Sequence, residues 1–454
     1  MRIVLISTYE LGRQPFGLAS PAAWLRREGF EVAQTDLARQ SLDEGAARAA
    51  DLIALYLPMH TATRIAVAAL PKLRVLNPAA HICAYGLYAP MNTELLRGLG
   101  VKTILGGEFE EGLLRLAQRI AQGDREPQRE PEVSLDRLRF LTPDRRGLPP
   151  LEKYAHLTLP DGSTRVVGYT EATRGCKHLC RHCPIVPVYK GAFRVVPREV
   201  VLADIRQQVA AGAQHITFGD PDFFNGPAHG LEIVRVLHSQ FPQVSYDVTI
   251  KIEHLLQHAP HLPQLRDSGC AFVTSAVESV DDRVLALLDK GHTRADFVRV
   301  AQLFGDLGMF LVPTFVPFTP WTSLGGYEDL LLTLAGLGLI EQVPPIQLAI
   351  RLLIPAGSRL LELKETQQVV GEFDKEALSY RWANPDPRVD DLQRQVEAAV
   401  QDASKRKISR TATFEIVWKR LQKVKKEERP LPIPPVPPAQ NRATIPYLTE
   451  PWYC

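Results

Sequence analysis

Three of the six cysteines stand close together in the chain, as Cys176, Cys180 and Cys183. Their spacing, C-x3-C-x2-C, places three thiols on one short loop that begins at Gly175, a residue that lets the backbone turn. In a large chain whose other cysteines are scattered, such a group indicates a metal site rather than a disulfide framework. Three thiolates hold three irons of a four-iron cluster and leave the fourth open to another ligand. The spacing therefore predicts a [4Fe–4S] cluster.

A zinc ion is the alternative occupant, with His178 or His182 as its fourth ligand. Zinc sites usually pair their ligands as C-x2-C with a distant second pair. The sequence contains no second C-x2-C, which favours the iron–sulfur cluster.

The cysteine motif resembles that of the radical S-adenosylmethionine superfamily, and the resemblance extends to loops further along the chain. It implies that the fourth iron binds the amino and carboxylate groups of S-adenosylmethionine. It also implies that an electron from the reduced cluster cleaves the sulfonium and releases a 5′-deoxyadenosyl radical. His182, directly before the third cysteine, stands where relatives commonly have an aromatic residue near the adenine.

Two acidic loops also look like segments of this family. Gly219, Asp220 and Asp222 follow a predicted strand and resemble the segment that meets the methionyl amino group; a buried amine needs such an acidic partner. An ordinary Asx turn is the alternative. Glu278, after a later strand, resembles the acidic residue near the ribose hydroxyls. A carboxylate can accept a hydrogen bond from each of two hydroxyls.

Five further positions have both a structural and a functional interpretation. Lys290 and Gly291 resemble a family segment, but their main predicted role is a helix C-cap, with the glycine at the end and the basic residue on the dipole. Pro317 replaces the glycine of a Gly-x-Pro-x-x-Thr turn that many relatives have. Trp321 is a candidate pocket residue, or simple packing. Arg351 is a candidate partner for a substrate carboxylate or phosphate, or part of a structural salt bridge.

Two series of alternating strands and helices must position these loops. The first predicts strands at 3–7, 50–57, 80–85 and 101–105, with helices at 21–28, 61–70, 92–99 and 108–121. Such alternation indicates an α/β, doubly wound (Rossmann-like) parallel sheet, which binds ligands at the carboxyl ends of its strands.

The second series begins at residue 166. Its predicted strands are 166–171, 215–219, 244–250, 271–276, 309–316 and 346–354, and its helices are 198–211, 230–240, 254–268, 281–288, 294–307 and 324–337. Six such units predict a partial (β/α)6 barrel. The cysteine loop follows the first of these strands, at the strand end where barrels carry their active sites.

The chain is divided into five segments on this basis. They are the Rossmann-like unit at 1–122, a linker rich in Pro, Arg, Asp and Glu at 123–165, the barrel at 166–363, a helical extension at 364–428 and a proline-rich tail at 429–454. Charged helices are expected at 390–408 and 413–428.

The first unit resembles the cobalamin-binding domain that precedes many radical S-adenosylmethionine barrels. Gly106, Gly107 and Glu108, on a loop that opens a helix, are the best match, and the glycines would allow close approach to the corrin. The motif Asp-x-His-x-x-Gly, which supplies a lower axial histidine, is absent, as it is in many radical relatives. His60 and His81 are lone histidines, a class that is more often structural. The alternative is a domain that only packs on the barrel.

The carboxyl end carries a proline run at 430–438, which predicts extended polyproline, and stops at Cys454. This ending resembles a subgroup whose tails read Cys-Cys-Ala-Glu-Pro or Cys-selenocysteine-Ala-Glu-Pro. We hypothesise that the reading frame was cut at a UGA codon for selenocysteine, which would make Cys454 half of a redox or ligand pair. A frayed tail with a surplus thiol is the alternative.

The totals describe an ordinary globular chain. Its 454 residues suffice for two or three domains, and 53 basic against 51 acidic residues leave a formal net charge of +2. This balance gives no nucleic-acid or membrane signal. With neither a signal-peptide pattern nor a long apolar run, we expect a cytoplasmic protein whose reductant is a flavodoxin or ferredoxin.

The sequence thus predicts a radical S-adenosylmethionine enzyme, cobalamin-dependent, with methyl transfer as the outcome that the family resemblance suggests; the residues do not identify its substrate. Two alternatives stay open. One is a cobalamin-independent radical enzyme that modifies or rearranges its substrate. The other is a non-catalytic iron–sulfur protein for electron transfer or redox sensing. The acidic loops at Asp220 and Glu278 argue against the latter, since an electron carrier needs neither amine nor ribose partners.

Overall fold

The computed structural model describes residues 1–426 and 444–450. The predicted polyproline run and Cys454 lie outside the described residues. Within the described part, no helix combines the length and the apolar character needed to cross a bilayer.

The first unit is a parallel six-stranded sheet with the strand order β2-β1-β3-β4-β5-β6. Its strands are β1 (Arg2–Ser7), β2 (Glu31–Asp36), β3 (Leu52–Tyr56), β4 (His81–Tyr85), β5 (Thr103–Gly107) and β6 (Val133–Ser134). Its helices are α1 (Phe16–Arg27), α2 (Glu44–Ala49), α3 (His60–Leu76), α4 (Thr93–Gly98) and α5 (Glu110–Ala121). The strand order reverses between β1 and β3, where doubly wound sheets have their ligand crevice.

The second unit is a curled, seven-stranded half-barrel sheet with the order β14-β13-β12-β11-β8-β7-β17. Five of its strands are mutually parallel: β8 (Thr164–Thr170), β11 (His215–Phe218), β12 (Ser245–Thr249), β13 (Cys270–Glu278) and β14 (Leu311–Phe315). Two short antiparallel strands extend the edge next to β8, namely β7 (His156–Thr158) and, from the carboxyl tail, β17 (Tyr447–Leu448). Two separate two-stranded ribbons pair β9 (Thr173–Gly175) with β10 (Phe193–Val195) and β15 (Val370–Asp374) with β16 (Ser379–Trp382).

Helices connect the half-barrel strands and close one side of the sheet. They are α6 (Ile185–Tyr189), α7 (Arg198–Ala210), α8 (Pro227–Gln240), α9 (Ile252–Gln257), α10 (Leu262–Asp267), α11 (Asp282–Leu288), α12 (Arg294–Leu307), α13 (Leu324–Gly336), α14 (Lys364–Gln367), α15 (Pro387–Lys405) and α16 (Arg410–Lys425). The buried faces of α15 and α16 join the core of the half-barrel, with Trp418 at 1% exposure. The carboxyl-terminal helices therefore stabilise the barrel unit directly.

The predicted fold class is confirmed, with two corrections to its elements. The sixth strand, predicted at 346–354, is wrong: a 3-10 helix at Pro345–Leu348 opens this segment, and a single bridge joins Phe318 to Arg351. Pro345 stands at the start of this 3-10 helix, where its fixed φ favours a helical turn. The single helix predicted at 254–268 is broken into α9, a 3-10 turn and α10, because Pro260 and Pro263 interrupt it.

Two strands of the first sheet escaped the sequence analysis. The edge strand β2 is polar along much of its length, so it lacks an apolar run. The short strand β6 lies inside the segment predicted as a linker, and pairs with β5 at Gly106 and Gly107. Leu138, Leu141 and Leu148 of the same segment pack against the core of the first unit.

Gly107 lies close to the backbone of Ser134, where strand β5 pairs with strand β6. Its φ is +69°, and a Cβ there would lie 2.2 Å from the Ser134 carbonyl oxygen. Gly123 is a matched control, because its φ is +89° and a Cβ there would meet nothing within 4 Å. We expect Gly123→Ala to cost about 1 kcal/mol of unfolding free energy through backbone strain. Gly107→Ala should cost about 1–3 kcal/mol more through the clash. Denaturant unfolding measures both, and equal losses would contradict the assigned contact.

Candidate active site

The cysteine loop leaves the half-barrel beside the carboxyl end of β8 and is bounded by the ribbon β9–β10. Gly175 ends β9 with φ +72°, and a Cβ there would lie 2.4 Å from the Tyr189 ring and 2.5 Å from the Ala192 carbonyl oxygen. Only glycine fits this turn, as the sequence suggested. The backbone therefore enters the cysteine motif in one defined direction.

The three thiols are sheltered from water to different degrees. Cys180 is buried, whereas Cys176 and Cys183 are half-buried. Burial raises the pKa of the Cys176 thiol to about 11, so its thiolate needs a neighbouring cation at neutral pH. An iron ion meets this requirement, and the donor set fits a cluster held by three sulfurs.

Asn225 holds the cysteine loop by hydrogen bonds to its backbone, a role that the sequence analysis did not predict. It ends a 3-10 turn after β11, at Phe223–Asn225. Its Oδ1 accepts a hydrogen bond from the Lys177 amide at 3.3 Å and lies 3.9 Å from the Cys176 Sγ, while its Nδ2 donates to the Gly175 carbonyl at 3.4 Å. One amide side chain thus fixes both sides of the first cysteine.

Glu278 joins the end of β13 to the end of the cysteine motif. Its Oε1 lies 3.2 Å from His182 Nε2 and 3.4 Å from Lys290 Nζ. Burial alone would raise the pKa of Glu278, but Lys290 and His182 outweigh burial and lower it to about 2. Its φ is +68°, an unfavourable backbone conformation for a glutamate that is typical of functional positions. The carboxylate is therefore ionised and held in place.

The prediction that Lys290 and Gly291 form the C-cap of a helix is wrong. The helix α11 ends in a left-handed residue at Asp289 instead, and Lys290 is buried with its ammonium on Glu278. Burial would lower the pKa of Lys290, yet Glu278 and the neighbouring Cys180 and Cys183 together raise it. A fixed positive charge thus lies beside two of the three thiols.

A small cavity opens beside Glu278. It encloses about 310 Å³ of space, open solvent included, and is lined at the ends of β13 and β14 by Glu278, Ser279, Pro317, Thr322 and Tyr327, among others. Pro317 shapes its rim, because its carbonyl accepts a hydrogen bond from Thr322 Oγ1 at 2.9 Å. The predicted contact of Glu278 with a ribose stays a prediction, and this cavity is where it would be made.

Gly219, Asp220 and Asp222 all serve contacts within the protein. A Cβ on Gly219 would lie 1.8 Å from the Tyr169 hydroxyl. Asp220 accepts hydrogen bonds from the Ala172 amide at 2.9 Å and from a threonine hydroxyl at 2.6 Å. Asp222 Oδ1 accepts from the Phe224 amide at 3.0 Å, an Asx turn. The predicted contact with a methionyl amine stays a prediction.

Arg174, one residue before Gly175, joins the two units and was also missed. Its guanidinium lies 2.7 Å from Glu110 Oε1 and 3.2 Å from Glu108 Oε2, both in the first unit, and 3.0 Å from Glu171 Oε2. Arg174 is 7% exposed. Burial would lower the pKa of Arg174, but the carboxylates raise it further above its usual range, so the guanidinium is charged.

The residues predicted to approach cobalamin therefore have protein neighbours. Glu108 pairs with Arg174 and accepts a hydrogen bond from Tyr189 at 3.2 Å. A Cβ on Gly106 would lie 2.6 Å from Pro90, and Gly107 approaches Ser134 as described above.

The lone histidines also have protein partners. His60 Nε2 lies 2.5 Å from the Ala377 carbonyl oxygen, and His81 Nε2 lies 2.8 Å from Thr103 Oγ1. Burial lowers the pKa of His81 to about 4, so its ring is neutral at physiological pH.

Arg351 takes the structural role that the sequence left open. It pairs with Asp390 at 2.6 Å and stacks over the Trp382 ring at 3.4 Å. Trp321 packs against a small apolar cluster that includes Leu288 and Leu352.

A second cavity lies on the concave face of the half-barrel and encloses about 510 Å³ of space, open solvent included. Its walls include three hydroxyls from neighbouring strands, those of Thr249, Thr274 and Thr314, and it is bordered by Arg13 and Tyr447. Thr314 Oγ1 is buried without a hydrogen-bond partner among the described residues. The cavity thus combines a mostly apolar wall with a few polar groups.

Comparison with known proteins shows which family the segment that carries this site resembles. A family model described as the Radical SAM superfamily matches residues 170–321. Ribosomal protein uS12 methylthiotransferase RimO of Geobacter sulfurreducens is 40% identical over 60 residues, 13% of either chain. A tRNA-2-methylthio-N(6)-dimethylallyladenosine synthase of Chlorobium chlorochromatii is 24% identical over 154 residues, 33% of this chain and 34% of that protein. The matched segments therefore span about a third or less of these relatives.

Two solved structures share the two-unit fold. One is the radical S-adenosylmethionine methyltransferase TsrM of Kitasatospora setae, with a TM-score of 0.57 and 17% identity over 74% of this chain and 71% of that one. The other is the cobalamin-dependent S-adenosylmethionine radical enzyme OxsB, with a TM-score of 0.68 and 15% identity over 89% of this chain and 66% of that one.

Residues 170–321 therefore match the radical S-adenosylmethionine superfamily, as the sequence predicted. Members of this superfamily use a [4Fe–4S] cluster and S-adenosylmethionine.

Arg174→Met tests the junction between the units. The change leaves Glu108, Glu110 and Glu171 buried without their cation, so we expect a loss of about 3–5 kcal/mol in unfolding free energy. Arg198→Met is the control, because Arg198 is exposed and pairs with exposed glutamates; it should cost at most about 1 kcal/mol. Thermal or denaturant unfolding gives both values. Similar losses in the two variants would contradict the role assigned to Arg174.

Proposed function

We propose that Cys176, Cys180 and Cys183 hold a [4Fe–4S] cluster at which this enzyme cleaves S-adenosylmethionine. When bound, the cluster supplies the electron that breaks the sulfonium and yields a 5′-deoxyadenosyl radical. The observation that carries the proposal is the position of the three thiols on one loop at the strand ends, inside a radical S-adenosylmethionine domain.

The charged residues around the loop have complementary roles in this proposal. Lys290 offsets the negative charge of the thiolates, because its ammonium is buried beside Cys180 and Cys183. Glu278, ionised and facing the 310 Å³ cavity, accepts hydrogen bonds from the ribose hydroxyls. His182 is held against Glu278 at the end of the motif, close to where an adenine would lie.

The cavity on the concave face is the proposed substrate site, with walls from β12, β13 and β14. Its mostly apolar wall carries a few hydroxyls, among them the unpartnered Thr314 Oγ1, and favours a small substrate with both apolar and polar groups. A flavodoxin or ferredoxin is the proposed electron donor.

Cobalamin-dependent methyl transfer is the proposed outcome, supported by the order of the two units. A doubly wound sheet precedes the half-barrel here as in the fold shared with TsrM and OxsB, which are described with cobalamin bound. The proposal does not rest on Gly106, Gly107 or Glu108, whose contacts are with protein. Those same contacts favour the second candidate, a radical enzyme in which the first unit only supports the barrel.

The cleavage reaction is tested on anaerobically reconstituted protein with dithionite and S-adenosylmethionine. We expect about four irons per chain and 5′-deoxyadenosine detected by mass spectrometry. Cys180→Ala should lose both, because one of three cluster ligands is gone. Cys270→Ala is the matched control, a barrel cysteine outside the motif, and should keep both. Four irons without 5′-deoxyadenosine would support the electron-transfer alternative, and zinc in place of iron would overturn the proposal.

Cobalamin binding is tested separately by incubating the reconstituted protein with hydroxocobalamin and removing the free cofactor by gel filtration. Retention of about one corrin per chain, seen in the visible spectrum, is expected for a cobalamin-dependent enzyme. Loss of the corrin, with 5′-deoxyadenosine still formed, would leave the cobalamin-independent candidate.

A further inference from the structure

Three potential metal ligands converge beside the cysteine loop: His178, considered above as a zinc ligand together with the cysteines, Asp222, predicted above to meet a methionyl amine, and His254, which has no role above. His178 lies within the loop, Asp222 follows β11, and His254 is on α9 after β12. His254 Nδ1 is 2.6 Å and His178 Nε2 is 3.3 Å from Asp222 Oδ2, and one ligand atom from each residue lies within 4.8 Å of the other two. Three separate elements thus bring two imidazoles and one carboxylate oxygen to a single point.

The three atoms are buried, and Asp222 Oδ2 is close enough to both imidazoles to pair with them as an ion-pair acceptor. The angles are poor for hydrogen bonds between them, so within residues 1–426 and 444–450 none of the three makes a well-aligned one. Asp222 and His254 are each 1% exposed. Buried polar atoms are normally satisfied, and a cation at their common centre is a partner that all three can share.

The surroundings hold the ligands in place. Asp222 uses its other oxygen, Oδ1, to accept a hydrogen bond from the Phe224 amide at 3.0 Å. The far nitrogen of His178, Nδ1, lies 3.2 Å from Lys251 Nζ and 3.7 Å from Glu253 Oε2. Outer contacts of this kind orient the first ligands of metal sites.

We propose that His178, Asp222 and His254 bind one divalent transition-metal ion, distinct from the irons of the cysteine cluster. Two imidazoles and one carboxylate are typical of zinc and of non-haem iron(II) sites. Three protein ligands leave at least one coordination position for water or another small ligand. Because His178 lies between Cys176 and Cys180, the ion would also tie the cysteine loop to the ends of β11 and β12.

The test is metal analysis of the cluster-loaded, full-length protein equilibrated with Zn²⁺ and freed of loosely bound ions. Because the cluster occupies the cysteines, about four irons and one zinc per chain are expected. His254→Ala should lower zinc at least tenfold and leave the iron count unchanged. His261→Ala, which removes an exposed histidine nearby, should change neither. A fifth iron that His254→Ala removes would support the same site filled by Fe²⁺.

X-ray absorption at the zinc edge of the zinc-loaded, unmutated protein tests the proposal without any variant, in case His254→Ala does not fold. Nitrogen and oxygen neighbours with imidazole scattering are expected, and sulfur neighbours would place the zinc on cysteines and overturn the proposal. A zinc content of the unmutated protein no higher than that of His254→Ala would also overturn the proposal. The three residues would then form only a hydrogen-bonded network around Lys251. The outcome does not depend on S-adenosylmethionine cleavage, so the two proposals fail separately.

Discussion

The buried charge of Arg174 is the constraint on which the arrangement of this protein depends. A guanidinium withdrawn from water is costly unless its donors are satisfied and its charge is balanced. Here the balance comes from Glu108 and Glu110 of the first unit and from Glu171 of the barrel. Since Arg174 directly precedes Gly175 and Cys176, the pairing that docks the two units also fixes the start of the cysteine loop. The contact between the two units and the position of the cysteine loop therefore depend on the same ion pairs.

The rest of the loop is held by contacts of different chemistry. Asn225 supports the first cysteine through backbone hydrogen bonds, and Glu278 holds His182 before the third. Lys290 adds a fixed positive charge where thiolates must persist. Asn225 follows the end of β11 and Glu278 ends β13, whereas Lys290 follows helix α11. A half-barrel suits this chemistry because its parallel strands bring such ends to one rim.

The parts that sequence analysis predicted are those encoded locally. Apolar runs indicated most of the strands, and the spacing of three cysteines indicated the metal site. The contacts it missed join residues far apart in the chain, such as Arg174 with Glu108, 66 positions away, and no local pattern encodes them. Lys290 was misassigned because a helix end followed by Lys-Gly has the pattern of a C-cap, whereas its buried partner Glu278 is visible only in the fold. The predictions for the polar strand β2 and for a sixth strand at 346–354 failed for the same reason, since tertiary contacts decide both segments.

The cluster must be held by three cysteines, with one of its four irons open to S-adenosylmethionine. Mössbauer spectroscopy of the ⁵⁷Fe-reconstituted protein, recorded with and without S-adenosylmethionine, examines this arrangement. About one iron in four should change its isomer shift when S-adenosylmethionine is added, while the other three keep theirs. A spectrum in which all the irons stay unchanged would show a cluster closed to this ligand, and the proposed site would be wrong.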